Sequence, residues 1–70
     1  MKNRIKELRE QQGLSQGKLA EMCRVSRQTI NAIENNKYDP TLELAFRLAK
    51  VLSVKVDELF FPDEKQEGSN

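Results

Sequence analysis

Ser15-Gln16-Gly17-Lys18-Leu19-Ala20-Glu21-Met22-Cys23-Arg24-Val25-Ser26-Arg27-Gln28-Thr29-Ile30-Asn31-Ala32-Ile33-Glu34-Asn35 is the stretch that decides the fold. Ser15 and Ser26 are good N-cap residues, each opening a short run with helical spacing. Leu19, Ala20 and Cys23 share one face of a helix over 16–23, and Ile30 and Ile33 share one face of a helix over 27–35. Only Arg24-Val25-Ser26 separates the two. So short a connection forces a sharp bend, at roughly 90–120° between the axes. A crossing that close needs a small residue on the first helix, and Ala20 supplies it. Val25, Ile30 and Ile33 then fill the wedge between the helices.

Outward from this pair, the rest of the chain also reads as helix. Ile5 and Leu8 mark a first helix over 3–12, which Gly13 ends in the left-handed conformation that glycine permits. Asn35-Asn36-Lys37-Tyr38-Asp39-Pro40 gathers turn formers and breaks the pattern. Thr41 caps a fourth helix over 42–52, whose Leu44, Ala45, Leu48, Ala49 and Leu52 form the clearest apolar stripe. A fifth helix over 54–61 turns Val56, Leu59 and Phe60 inward and stops at Pro62. Strand signals are nearly absent. The expected architecture is all-α, a compact five-helix bundle within residues 1–62, followed by a charged, disordered tail over 63–70.

With 70 residues the chain holds one domain. There is no apolar run near the roughly 20 residues of a membrane helix, and no apolar stretch follows the basic start as in a signal peptide. A single Cys and no His leave neither an internal disulfide nor a ligand set for structural zinc. They also remove the usual neutral-pH general base and any partner for a Cys23 nucleophile. No glycine-rich phosphate loop is present, and 70 residues leave little room for a concave carboxylate site. The expectation is a cytoplasmic protein that is not an enzyme and takes no cofactor, metal or small-molecule ligand.

The near-zero net charge conceals an asymmetry. Residues 1–37 carry eight Lys and Arg against four Glu, whereas residues 38–70 carry four against seven acids. A basic half points to an anionic partner, although solvated charge can segregate without one. The third helix discriminates. Stepping about 100° per residue from Arg27, Ile30 and Ile33 define a core direction near 270°. The opposite side carries Gln28, Asn31, Ala32 and Asn35, flanked by Arg27. A merely solvated face favours Glu and Lys, the stronger helix formers. This one holds amides, an Ala and an Arg, with no outward acid. Amides read adenine bidentately, Arg reads guanine or holds phosphate, and Ala touches a thymine methyl.

These residues, with Pro40-Thr41-Leu42 and Val56-Asp57-Glu58-Leu59-Phe60 behind them, closely resemble the phage repressor/Cro-type (Xre) helix-turn-helix family over residues 3–61. The resemblance implies a lambda-repressor-like domain that binds double-stranded operator DNA in the major groove, usually as a homodimer. Position by position it implies base reading by Arg27, Gln28, Asn31 and Ala32. It implies phosphate contacts by Gln16, Asn35 and Lys37, and a partly buried structural ion pair between Arg9 and Glu34. Two residues depart from the family pattern. Arg24 stands where glycine is usual in the turn, at a cost of about 1 kcal/mol. Gly17 stands where a helix former is commoner, at a similar ~1 kcal/mol.

The resulting expectation is a sequence-specific transcriptional regulator, a repressor in this reading. The alternative is an antitoxin or anti-regulator acting mainly through protein–protein contact. Leu42, Phe46 and Phe61 look surplus to the core and are the candidate dimer interface.

Overall fold

The computed structural model describes residues 1–62, so the tail expected over 63–70 lies outside the described residues. Five helices follow in order: α1 (Ile5–Gln11), α2 (Gln16–Cys23), α3 (Arg27–Glu34), α4 (Leu42–Leu52) and α5 (Val56–Leu59). Three begin as their N-cap residues dictate. Ser15 Oγ accepts the Lys18 N–H at 2.9 Å, Ser26 Oγ the Thr29 N–H at 3.1 Å, and Thr41 Oγ1 the Leu44 N–H at 3.2 Å. Each bond satisfies one of the orphan donors of a first turn.

The core is a single cluster to which every helix contributes. Ile5, Leu19, Cys23, Ile30, Leu48 and Leu59 are completely buried, and Ala20 sits nearly so where α2 and α3 cross. Val25 is half-buried against the same cluster. Two polar ties link α4 to the ends of other helices. Gln12 Nε2 donates to the Leu52 carbonyl at 2.9 Å, and Arg47 Nη1 to the Cys23 carbonyl at 3.1 Å.

The ends of the bundle differ from the sequence expectation. Helix α1 begins at Ile5 rather than Asn3, and α5 is confined to Val56–Leu59. The flanking residues pair instead as two short antiparallel strands, β1 (Lys2–Asn3) and β2 (Phe60–Phe61), in the register Lys2 to Phe61 and Asn3 to Phe60. The Arg4 N–H extends this pairing to the Leu59 carbonyl at 2.9 Å. Strands of two residues carry no periodicity, so nothing in the local pattern announces them. Their pairing is won in the tertiary structure, where Phe60 is buried in the core with an extended backbone, φ -120° and ψ 142°.

Candidate nucleic-acid interface

Helices α2 and α3 are joined by a turn in which Arg24 adopts φ 63°, ψ 40°. This is the left-handed region where side chains are disfavoured by about 1 kcal/mol, so the strain implied by a non-glycine residue is present. The turn nonetheless keeps its hydrogen bonds. The Arg24 N–H donates to Glu21 at 3.2 Å and the Val25 N–H to Ala20 at 3.0 Å.

The outward side of α3 carries the residues singled out from the sequence. Arg27, Gln28 and Asn31 are exposed, and Ala32 is half-buried beside them. Gln16, Arg27, Gln28 and Asn31 line a common cleft of about 300 Å³ between the start of α2 and the front of α3. Gly17 bounds this region: a Cβ built there would lie 3.9 Å from Arg27 Cδ. Asn35 folds back on its own helix, its Nδ2 donating to the Asn31 carbonyl at 2.9 Å and to Asn31 Oδ1 at 3.2 Å. Lys37 is exposed in the loop after α3 and forms no ion pair among the described residues.

Beneath this face lies a buried polar hub. Arg9 Nε donates to Glu34 Oε2 at 2.8 Å, with the Arg9 side chain 9% and the Glu34 side chain 3% exposed. Arg9 Nη2 reaches Glu34 Oε1 at 3.4 Å, and Arg9 Nη1 donates to the Leu14 carbonyl at 2.8 Å. Gln16 Nε2 also donates to Glu34 Oε1, at 2.9 Å. One carboxylate therefore joins α1, the start of α2 and the end of α3. Its two oxygens are answered by three donors, which offsets much of the cost of burying the charge. The Gln16 amide is part of this hub, a link that no local pattern signals.

A second tie escaped the sequence reading. Asn3 Oδ1 accepts the Ile5 N–H at 3.0 Å, and Asn3 Nδ2 donates to the Ile33 carbonyl at 2.9 Å and to Asn36 Oδ1 at 3.2 Å. As the first residue of the helix expected over 3–12, Asn3 carries no local signal of this role.

Outside the α2–α3 pair, Leu42, Phe46 and Phe61 are 71%, 58% and 36% exposed. Leu42 also borders an apolar cleft floored by Ala45, Val56 and Phe60. Among the described residues no His, Cys, Asp or Glu cluster is placed to hold a metal. Cys23 is fully buried, and burial pushes its thiol up.

A short bent helix pair with an exposed amide-rich second helix is the architecture of a DNA-binding helix-turn-helix domain. Residues 5–59 match the helix-turn-helix family model, and the chain belongs to that family, in its Xre, phage-repressor-like branch. It is 47% identical over 66 residues to an uncharacterised HTH-type transcriptional regulator of Methanocaldococcus jannaschii, covering 94% of this chain and 100% of the other. Among solved structures it resembles the restriction-modification controller protein C.AhdI of Aeromonas hydrophila, with TM-score 0.76 and 33% identity over 81% of this chain and 86% of that one. It also resembles the N-terminal DNA-binding domain of SinR from Bacillus subtilis, with TM-score 0.70 and 33% identity, covering 76% and 78%. The protein is a DNA-binding transcriptional regulator of the helix-turn-helix type.

Proposed function

We propose that this regulator is a cytoplasmic, non-enzymatic repressor that reads operator DNA in the major groove with α3 and binds as a homodimer. The observation that carries the reading is the outward side of α3. The side chains of Arg27 and Gln28 form no hydrogen bond or ion pair among the described residues, and with Asn31 they line the cleft at the front of the helix pair. Exposed amides and a free guanidinium leave donors and acceptors for base edges, and Ala32 supplies a methyl for thymine. Gln16 keeps one amide hydrogen beyond its bond to Glu34, available to a phosphate at the start of α2. Lys37 extends the phosphate contacts past the end of α3, and Asn35 would join it on turning its amide away from Asn31. Arg9 and Glu34 act from beneath, fixing α3 against α1.

The homodimer would form through Leu42, Phe46 and Phe61, which lie in the acidic half and leave the basic half to the DNA. One copy reads about one half-site, whereas two related by a dyad read half-sites roughly 34–36 Å apart on one face of the duplex. Selection of bound sites from a random duplex library tests this. The expected product is a two-fold-related consensus protected along one face. Recovery of no enriched sequence would overturn it.

A further inference from the structure

Four helices of this protein end in the same hydrogen-bonded motif, and one of the four is built differently. Gly13, Arg24, Asn36 and Ser53 take φ of 72°, 63°, 62° and 63° at the ends of α1, α2, α3 and α4. In each case the N–H of that residue donates three positions back, to Glu10, Glu21, Ile33 and Lys50. The following N–H donates five back, to Arg9, Ala20, Ala32 and Ala49. This closure is normally accompanied by an apolar contact from the residue after the left-handed one. Leu14, Val25 and Val54 make it, all packed against the core. At the end of α3 that residue is Lys37, which is exposed.

What the α3 end lacks in apolar contact it has in Asn3. The Asn3 amide donates to Ile33, whose carbonyl already accepts the Asn36 N–H, and to the Asn36 side chain. Asn3 is itself held twice, by its own bond from the Ile5 N–H and by the pairing of β1 with Phe60. It lies outside the segment, residues 5–59, that matches the family model. We propose that Asn3 is a positioning residue for DNA binding: it replaces the missing apolar latch behind the reading helix. By holding the Asn36–Lys37 turn it presents the Lys37 ammonium to a phosphate in a fixed place. The inference rests on the DNA-contact reading of Lys37 given above.

The test compares wild type, Asn3→Ser, Lys37→Ala and the double variant. Serine keeps a short oxygen acceptor for the Ile5 N–H but is too short to reach the Ile33 carbonyl. Amide exchange on the free protein comes first. Asn3→Ser should speed exchange at Asn36 and Lys37 while Arg24 and Val25, the same motif at the end of α2, stay as protected as in wild type. Binding comes second. Asn3→Ser should raise Kd about three- to tenfold on specific and random duplexes alike, the weight of one or two neutral hydrogen bonds. The salt slope should fall toward that of Lys37→Ala, and the double variant should bind no more weakly than Lys37→Ala alone. Asn36→Gly keeps the left-handed turn, relieves its positive φ and removes the side chain whose Oδ1 Asn3 reaches, so it should move both readouts in the same direction but less.

Unchanged exchange at Lys37 in both Asn3→Ser and Asn36→Gly would overturn the latch. Faster exchange with an unchanged salt slope, or with costs that simply add to Lys37→Ala, would overturn the positioning role. A wild-type protein whose duplex affinity has no salt dependence would overturn the DNA-contact reading of Lys37 and the positioning role with it. The exchange data would report on the latch independently.

Discussion

The outward sides of α3 and α4 are both exposed, and they are made of opposite materials. On α3 the exposed side chains are Arg27, Gln28 and Asn31, polar groups that water solvates at no loss. On α4 they include Leu42 and Phe46, one turn apart, beside an ion pair between Glu43 and Arg47 at 2.8 Å. A single exposed leucine or phenylalanine means little, because much of any protein surface is apolar. Two on one face, next to an apolar cleft that reaches Val56 and Phe60, make a contiguous patch of the kind that gains by being covered. The contrast separates two reasons for leaving side chains in water. In the proposed function the α3 side offers directional groups that tell sequences apart. The α4 side offers apolar area that a second copy would bury.

The largest effect is expected from the buried ion pair beneath α3. Glu34→Ala leaves the Arg9 guanidinium buried without its carboxylate and frees the Gln16 amide. Removing one partner of such a pair costs about 3–5 kcal/mol, so thermal unfolding should shift sharply downward. An unaltered melting temperature with weakened DNA binding would show Glu34 to be a contact rather than a support.

Next in size is the apolar side. Phe46→Glu should cost roughly a hundredfold in affinity for a palindromic site, the avidity lost when two linked modules become independent. Half-site affinity should survive, and sedimentation should show which species remain. Equal losses on half-site and palindrome would mean that Phe46 serves the domain and not its pairing.

Gln28→Ala sharpens the polar side. It should cost about 1–3 kcal/mol on the preferred site and almost nothing on random duplex, measured by competitive titration at fixed salt. A uniform loss would move Gln28 from base reading to phosphate contact. The smallest effect lies in the turn between the helices. Arg24→Gly relieves a left-handed residue and should stabilise the domain by at most about 1 kcal/mol, less the added freedom of the unfolded chain. Chemical denaturation measures it, and a destabilised variant would show that the Arg24 side chain contributes to the fold.

Much of this molecule is legible residue by residue, because its signals are local. Ser15, Ser26 and Thr41 accept a backbone N–H three residues on, so the starts of α2, α3 and α4 are readable without the fold. Gly13 takes the left-handed conformation its place implied, and Ile30, Ile33, Leu44, Leu48 and Leu52 are buried as their spacing required. The amide-rich side of α3 follows from the same 100° steps, since whatever opposes a buried face on a surface helix is exposed. Helical periodicity and capping act within one or two turns, and the order of residues contains them.

Other features depend on groups distant in the chain and brought together only when the helices pack. Residues 2–3 pair with 60–61, the Asn3 amide meets Ile33 and Asn36, and the Gln16 amide meets Glu34. Neither two-residue strands nor a lone asparagine carries a pattern. Their partners lie 18 to 59 positions away along the chain. The strand pairing and the Asn3 bond to Ile33 satisfy backbone groups at the ends of packed helices, and the Gln16 amide answers a buried carboxylate. Which residues are available there depends on how the helices bring distant segments together, which is a property of the whole fold.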